Sequence, residues 1–333
     1  MSGMNRHKIA ILLHDSFEMW RPSAQFIDKL RVEFPQVEVV HSAHKRNDEE
    51  ALRDADIMIG WSLSLDQFHA ANNLRWIYSI TAAVDQFLFP QLVASNIAIS
   101  NAGRVHGPVV AEHAMAMVFA LARRIPSAVV HQKDRDWAME EMWNEHPRPR
   151  ELRGATMTVI GLGSIGSEVA AMAAALKMHV IGIREHPDRG PAGAHEVLGY
   201  GSLEETILRS DFIVLAAPLT PQTKHLINGR RLQMFKRDAY LVNVSRGTLI
   251  DETALIEALK NHRLGGAALD VFEEEPLPRR SPLWKMPQVL ITPHTAFLSS
   301  LVWERHYSAF TNNLRRYLVG EPLQETIEKK QGY

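Results

Sequence analysis

The stretch TMTVIGLGSIGSEVAAMAAALKMHVIGIRE, residues 156–185, decides the fold. Its apolar, β-branched start at 156–160 predicts a strand, the Ala-rich run 164–176 predicts a helix, and 179–183 predicts a second strand. Between the first strand and the helix stands Gly161-Leu162-Gly163-Ser164-Ile165-Gly166. A G-x-G-x-x-G in that setting is the turn that cradles a dinucleotide pyrophosphate. Gly161 makes the tight turn, Gly163 lets the phosphates approach the backbone, and Gly166 lets helix and strand pack closely. The helix start at Ser164 and Ile165 supplies N–H groups and dipole. Where such folds take NAD, an acidic residue at the end of the second strand bonds the ribose hydroxyls. Arg184 holds that place here, and a guanidinium pairs with a 2′-phosphate, so the expected cofactor is NADP. Glu185, one residue on, keeps NAD open.

Outward from this stretch the alternation continues. Strands are expected at 212–215, 240–244, 266–269 and 289–291, with helices near 203–209 and at 252–261. Before it, a similar but shorter series runs through strands at 8–13, 37–40, 57–59, 76–80 and 97–99, with helices at 20–34 and 65–71. Strands separated by helices imply parallel sheets with right-handed crossovers, so two doubly wound α/β domains are expected. A long apolar helix from Gly107-Pro108 to about Arg124 is expected to lie buried between them, ending before Pro126. A polar stretch with Pro147 and Pro149 then leads into the second series. A last helix at 299–319 lies beyond the final strand and has room to return to the first domain.

The composition agrees with this reading. A chain of 333 residues with 46% apolar and 23% charged residues is long enough for about two domains and is neither disordered nor fibrous. Lys and Arg number 37 against 38 Asp and Glu, so there is no global basic field for nucleic acid or an anionic membrane. With no cysteine, disulfides and thiolate chemistry are excluded. The longest unbroken apolar run, 114–122, falls short of the ~20 residues a spanning helix needs, and a cytoplasmic protein without a membrane partner is expected.

Three segments end expected strands of the second domain: Asn243-Val244-Ser245-Arg246-Gly247, Leu269-Asp270-Val271-Phe272-Glu273-Glu274-Glu275-Pro276 and Thr292-Pro293-His294-Thr295. Ligands of open parallel sheets sit beyond the carboxyl ends of the strands, so all three point at one crevice. Arg246 can clamp a carboxylate and polarise a carbonyl. His294 can pass a proton if a carboxylate orients it, and any of Glu273, Glu274 or Glu275 can be that carboxylate.

These segments, with Gly161-Leu162-Gly163-Ser164-Ile165-Gly166 and Ala216-Ala217-Pro218-Leu219-Thr220, resemble successive signatures of the D-isomer-specific 2-hydroxyacid dehydrogenases, on the glyoxylate and hydroxypyruvate reductase side of that family. The resemblance spans nearly the whole chain. It implies a Rossmann cofactor domain, 103–295, inserted into a smaller flavodoxin-like substrate domain, 1–102 with 296–333. It also implies hydride transfer between NADP(H), or NAD(H), and a small 2-oxo or 2-hydroxy acid. The implied catalytic set is Arg246, Glu275 and His294. Implied cofactor contacts are Gly161, Gly163, Ser164, Ile165, Gly166, Arg184, Pro218, Val244, Ser245, Arg246, Asp270 and His294.

One departure bears on the substrate. The family's glycine-rich turn before Val-Asp is replaced by Ser79-Ile80-Thr81-Ala82-Ala83-Val84-Asp85, so Thr81 and Ala83 stand where glycines are expected. The implied substrate cradle is then Thr81, Ala82 and Ala83 with Arg246 and His294, and a Cβ at two positions narrows it and disfavours positive φ. The resemblance also implies a homodimer, with Trp137 and Trp143 in the region where family members pair. His106 and His113 lack a metal-binding pattern such as His-Glu-x-x-His and are expected to pack or to lie at an interface, and no metal is expected. Oxidation of another small anion such as phosphite, or dinucleotide sensing without turnover, shares the scaffold. Formate is disfavoured because formate dehydrogenases of this superfamily pair the His with Gln rather than Glu.

Overall fold

The computed structural model describes residues 7–14 and 17–332. Its elements follow in chain order as β1 (Lys8–Ile11), α1 (Ala24–Glu33), β2 (Glu38–His41), α2 (Asp48–Leu52), β3 (Ile57–Gly60), α3 (Leu65–Ala70), β4 (Trp76–Ser79), α4 (Pro90–Ala94) and β5 (Ala98–Ser100). Next come α5 (Gly103–Ala122), α6 (Ile125–Asp134), α7 (Met139–Asn144), β6 (Thr156–Ile160), α8 (Ser164–Ala175), β7 (His179–Ile183), β8 (Glu196–Leu198), α9 (Leu203–Arg209) and β9 (Phe212–Leu215). The chain closes with α10 (Gly229–Leu232), β10 (Tyr240–Asn243), α11 (Glu252–Lys260), β11 (Gly266–Leu269), β12 (Val289–Ile291) and α12 (Val302–Leu318). It divides into two compact units, one from the start to His106 together with Leu298 onward, the other Gly107–Phe297.

In the first unit five parallel strands run in the order β2-β1-β3-β4-β5. Side chains alternate across a strand, so one face collects Ile9, Ile11, Ile57, Ile59, Trp76 and Tyr78 under α1 and α12. The other face collects Ala10, Met58 and Ile77 with Leu52 of α2. Phe310 of α12 is fully buried, its ring stacked on Trp76 with centroids 5.2 Å apart. The last helix of the chain therefore completes the core of the first unit.

In the second unit seven parallel strands run β12-β11-β10-β9-β6-β7-β8. Counted from β6, the order 3-2-1-4-5-6 of a dinucleotide-binding sheet is extended by one strand, and the winding reverses between β6 and β9. Met157, Val159, Phe212, Val214, Tyr240 and Val242 face α5 and α8, while Ile160, Ile213, Leu215, Leu241 and Leu269 face α9 and α11. By length and composition α5 resembles a membrane span, yet Val110, Ala111, Ala114, Met115, Val118 and Leu121 belong to this core.

Two expectations are corrected. The long helix starts at Gly103 rather than Gly107, because Asn101 Oδ1 accepts the Gly103 N–H at 3.1 Å and Ala102 O accepts from Val105 and His106. The polar stretch after it contains two helices, α6 and α7. Arg124 turns the chain with φ 58°, and Pro126 then sits in the first turn of α6, where its missing N–H costs nothing.

Candidate active site

The glycine turn leaves β6 beside the switch point. Gly161 has φ 92°, and a Cβ there would lie 2.6 Å from the Ala216 and Ala217 backbone. A Cβ on Gly166 would lie 1.8 Å from Gly161 O. Both positions exclude any side chain, so the strand, the turn and α8 approach as closely as backbones can. Around a Cβ on Gly163, by contrast, there is nothing within 4 Å. That open space lies at the N-terminus of the 12-residue helix α8, where the first-turn N–H groups and the helix dipole favour an anion, and it fits a pyrophosphate.

The neighbouring strand ends close the crevice. Ser245 Oγ donates to Ala217 O and Thr223 Oγ1 donates to Pro218 O at 2.7 Å, which fixes the loops after β9 and β10. Val244 N donates to Leu215 O at 3.4 Å. On the other flank Arg184 is the first residue past β7, its N–H bonded to Leu198 O at 3.0 Å. Its guanidinium forms no ion pair among the described residues, and Glu185 next to it is exposed.

Past β10, fully buried Asn243 sets the next turn: its Oδ1 accepts the Ser245 N–H at 3.1 Å and its Nδ2 donates to Arg246 O at 2.9 Å. Gly247 follows because a Cβ there would lie 1.9 Å from the Phe272 carbonyl carbon, so the β10 and β11 loops touch backbone to backbone. The acidic run after β11 then divides. Glu273 pairs with His225 at 2.9 Å, Glu274 with Arg280 at 3.6 Å, and Glu275 with His294, Oε2 to Nδ1, at 2.7 Å. Glu275 is also fixed by the Phe272 N–H at 3.0 Å. Burial alone would push its carboxyl up, but the His294 bond, the Phe272 N–H and the charges of His294 and Arg246 outweigh that and hold its pKa below the ordinary value.

His294 has φ 54°, a left-handed conformation that His tolerates better than most residues. Asp270 holds it there. The Asp270 carboxylate is buried and accepts from Thr292 Oγ1, Thr295 N and Ala296 N at 2.5, 2.9 and 3.0 Å, and His294 N donates to Asp270 O at 2.8 Å. Among the described residues, no group of three or more His, Asp or Glu stands together as a metal site.

In the first unit, Thr81, Ala82 and Ala83 form a turn without positive φ, so the two side chains in place of glycine bring no backbone strain. Thr81 Oγ1 donates to Ala83 O at 2.7 Å and accepts from Gln86 Nε2 at 2.9 Å, and Asn101 Nδ2 donates to Ala82 O. The extra hydroxyl closes the turn on itself.

The sequence alone assigns no role to Asn243 or Thr292 and gives His113 as a packing or interface residue. His113 Nε2 lies 3.0 Å from Thr292 Oγ1 and 3.6 Å from Asp270 Oδ1. A polar residue at a strand end beside assigned site residues is the signal that marks such groups.

A family model described as D-isomer specific 2-hydroxyacid dehydrogenase, NAD binding domain, matches residues 115–296. The chain is 33% identical over 302 residues to the D-3-phosphoglycerate dehydrogenase of Methanocaldococcus jannaschii, covering 90% of this chain and 56% of that protein, so it spans little more than half of that relative. It is 32% identical over 281 residues to the glyoxylate reductase of Korarchaeum cryptofilum, covering 82% of each. Among solved structures, the NADPH-dependent glyoxylate/hydroxypyruvate reductase from Sinorhizobium meliloti in complex with NADP and sulfate is similar with a TM-score of 0.82 at 26% identity, over 98% of this chain and 100% of that one. By the matched family model and these relatives, the chain belongs to the D-isomer specific 2-hydroxyacid dehydrogenase family.

Proposed function

We propose that this protein is an NADP(H)-preferring reductase of small 2-oxo acids such as glyoxylate or hydroxypyruvate. The observation that carries the reading is the 2.7 Å pair of His294 and Glu275, set on strand-end loops of the sheet that also bears the glycine turn. A bound nicotinamide supplies the hydride for C2 of the substrate. Arg246 clamps the carboxylate and polarises the C2 carbonyl. His294 Nε2 gives its proton to the oxygen that becomes the alcohol, while Nδ1 stays hydrogen-bonded to Glu275. Glu275 is suited to orient His294 because its carboxyl, held below the ordinary value, remains ionised at neutral pH and accepts the hydrogen bond from Nδ1. In the reverse direction the same nitrogen takes the alcohol proton.

The turn Thr81, Ala82 and Ala83 presents backbone N–H groups to the substrate carboxylate in this reading. Gly161, Gly163, Ser164, Ile165 and Gly166 hold the pyrophosphate. Arg184 meets the 2′-phosphate, while Pro218, Val244, Ser245 and Asp270 line the rest of the cofactor. NADP is named with the Sinorhizobium meliloti relative, and the ion-pair-free guanidinium just past β7 supports the same choice here. The protein acts as a homodimer. Phe119, Ile125, Val129, Val130, Trp137 and Met139, on or beside α5–α7, are exposed apolar residues of the kind that pairing covers, Trp137 being 92% exposed. Sedimentation should give twice the chain mass, and Trp137→Lys should shift it toward the monomer.

The test is steady-state oxidation of NADPH and of NADH with glyoxylate, hydroxypyruvate, pyruvate and an aromatic 2-oxo acid in turn. Turnover of at least one, faster with NADPH, is expected. Cofactor binding with no turnover of any of them would overturn the reading in favour of a dinucleotide sensor or of an enzyme oxidising another small anion, for which phosphite with either oxidised cofactor is the assay.

A further inference from the structure

Asp270 is 1% exposed, and no Lys or Arg among the described residues forms an ion pair with it. A buried carboxylate without a cationic partner must be satisfied by hydrogen bonds. Oδ1 accepts the Thr295 N–H and Oδ2 the Ala296 N–H, so Asp270 acts as the acceptor throughout, and the Thr292 hydroxyl 2.5 Å from Oδ1 is a donor to it. A hydroxyl has one proton. Thr292 has spent it on Asp270, so the other group at its oxygen, His113 Nε2 at 3.0 Å, is the donor in that contact. The imidazole of His113 is therefore protonated at Nε2.

We infer that His113 is a positioning residue for His294, acting through Thr292 and Asp270. The chain of contacts starts on α5, a 20-residue helix anchored in the core, and ends at the turn that carries His294 in its left-handed conformation. Thr292 N also donates to Leu269 O at 3.0 Å, so the His113 bond ties the last rung of the sheet to the helix. Without it, Thr292 still reaches Asp270, but the turn loses its one side-chain link to α5 among these contacts. His294 then wanders relative to Arg246 while its pair with Glu275 persists. This inference rests on His294 being the acid/base group.

The test compares His113→Leu, His113→Gln and Thr292→Val in the full chain. Gln keeps an N–H donor near the Nε2 position and Leu does not. Since displacements of about 1 Å at a reacting group cost up to ~100-fold, His113→Leu should lower kcat about tenfold or more with the KM for NADPH unchanged, and His113→Gln should restore most of it. The double variant His113→Leu/Thr292→Val should fall no further than the worse single one, because the two changes break one chain. Full kcat in the Leu variant, equal loss in Leu and Gln, or additive losses in the double variant would each overturn the inference. A second readout needs no turnover. In imidazole 15N spectra the His294 signals should shift or broaden in the Leu variant and return in the Gln variant, and unchanged signals would overturn the inference too. If the wild type reduces no 2-oxo acid, the acid/base reading fails on its own while the spectra still test the positioning.

Discussion

Arg184 and His294 carry the two residue-level predictions. Arg184 is the first residue past β7, and a charge-assisted contact from it to a 2′-phosphate is worth about 1.5–3 kcal/mol, or roughly 10- to 100-fold in affinity. Arg184→Ala should therefore raise the Kd for NADPH by that factor in a fluorescence titration and leave NADH nearly untouched. Equal weakening of both would reassign the residue to a part shared by the two cofactors. His294→Ala removes the proposed proton donor and should lower kcat with 2-oxo acids by roughly 10²–10⁴-fold while the Kd for NADPH stays within about twofold. Undiminished turnover would remove His294 from the mechanism. At this scale the close packing at Gly161 and Gly166 was legible, because each of the two has a steric reason that spacing reveals. The acidic run was not. Three adjacent glutamates look alike in sequence, and only the fold sends Glu273 to His225, Glu274 to Arg280 and Glu275 to His294. The resemblance to a family, not the spacing, singled out Glu275.

Among the elements, strands were the most legible, since among the described residues eleven of the twelve are short apolar runs between turn residues, each found within two residues of the expected bounds. β8, with all three residues half-buried, carries no such run and was missed. α5 starts four residues ahead of the expected Gly107, because Asn101 caps it and Pro108 lies inside the helix. Asp211 shows how one side chain fixes the start of the two central strands of the second sheet. It precedes β9, accepts the Thr156 N–H that opens β6 at 2.8 Å, and pairs with Lys236 at 3.1 Å and Arg150 at 3.2 Å. Burial pushes its carboxyl up, but the Thr156 bond, the Lys236 bond and the charges of Arg150 and Lys236 hold its pKa below the ordinary value. A depressed pKa stabilises the fold fully above the unfolded value, about 3.9, and that contribution is lost as pH falls through the lower folded value. Asp211→Asn should thus cost about 2 kcal/mol at pH 7 by denaturant unfolding. The gap between variant and wild type should stay constant from about pH 5 to 8 and close below about pH 4. A gap that persists undiminished into acid would show that the carboxylate charge contributes nothing.

At the scale of the whole molecule, the two units are built from the chain in different ways. Among the described residues, the core of the second unit draws on those between Val109 and Phe297, and both faces of its sheet are covered by its own helices. The first unit needs the end of the chain, since Phe310 and Leu314 of α12 pack against Ile9, Ile57, Trp76 and Tyr78. This return was legible in outline, because the helix lies beyond the last strand and the first domain lacks a closing element of its own. An excised segment 103–297, which keeps α5 whole, should fold with a single cooperative transition. Because it holds the glycine turn, Arg184 and the loops after β9–β11, it should bind NADPH within about tenfold of the full chain's affinity, a difference of some 1.4 kcal/mol. It should turn over no 2-oxo acid, as Thr81–Ala83 lie outside it. The complementary segment 1–102 should not fold, because without α12 the apolar face under Trp76 and Tyr78 is left in water. Far-UV circular dichroism on heating and a fluorescence titration with NADPH decide the matter. An excised second unit that melts without cooperativity, or a segment 1–102 that folds, would show that the cores are not divided as the packing implies.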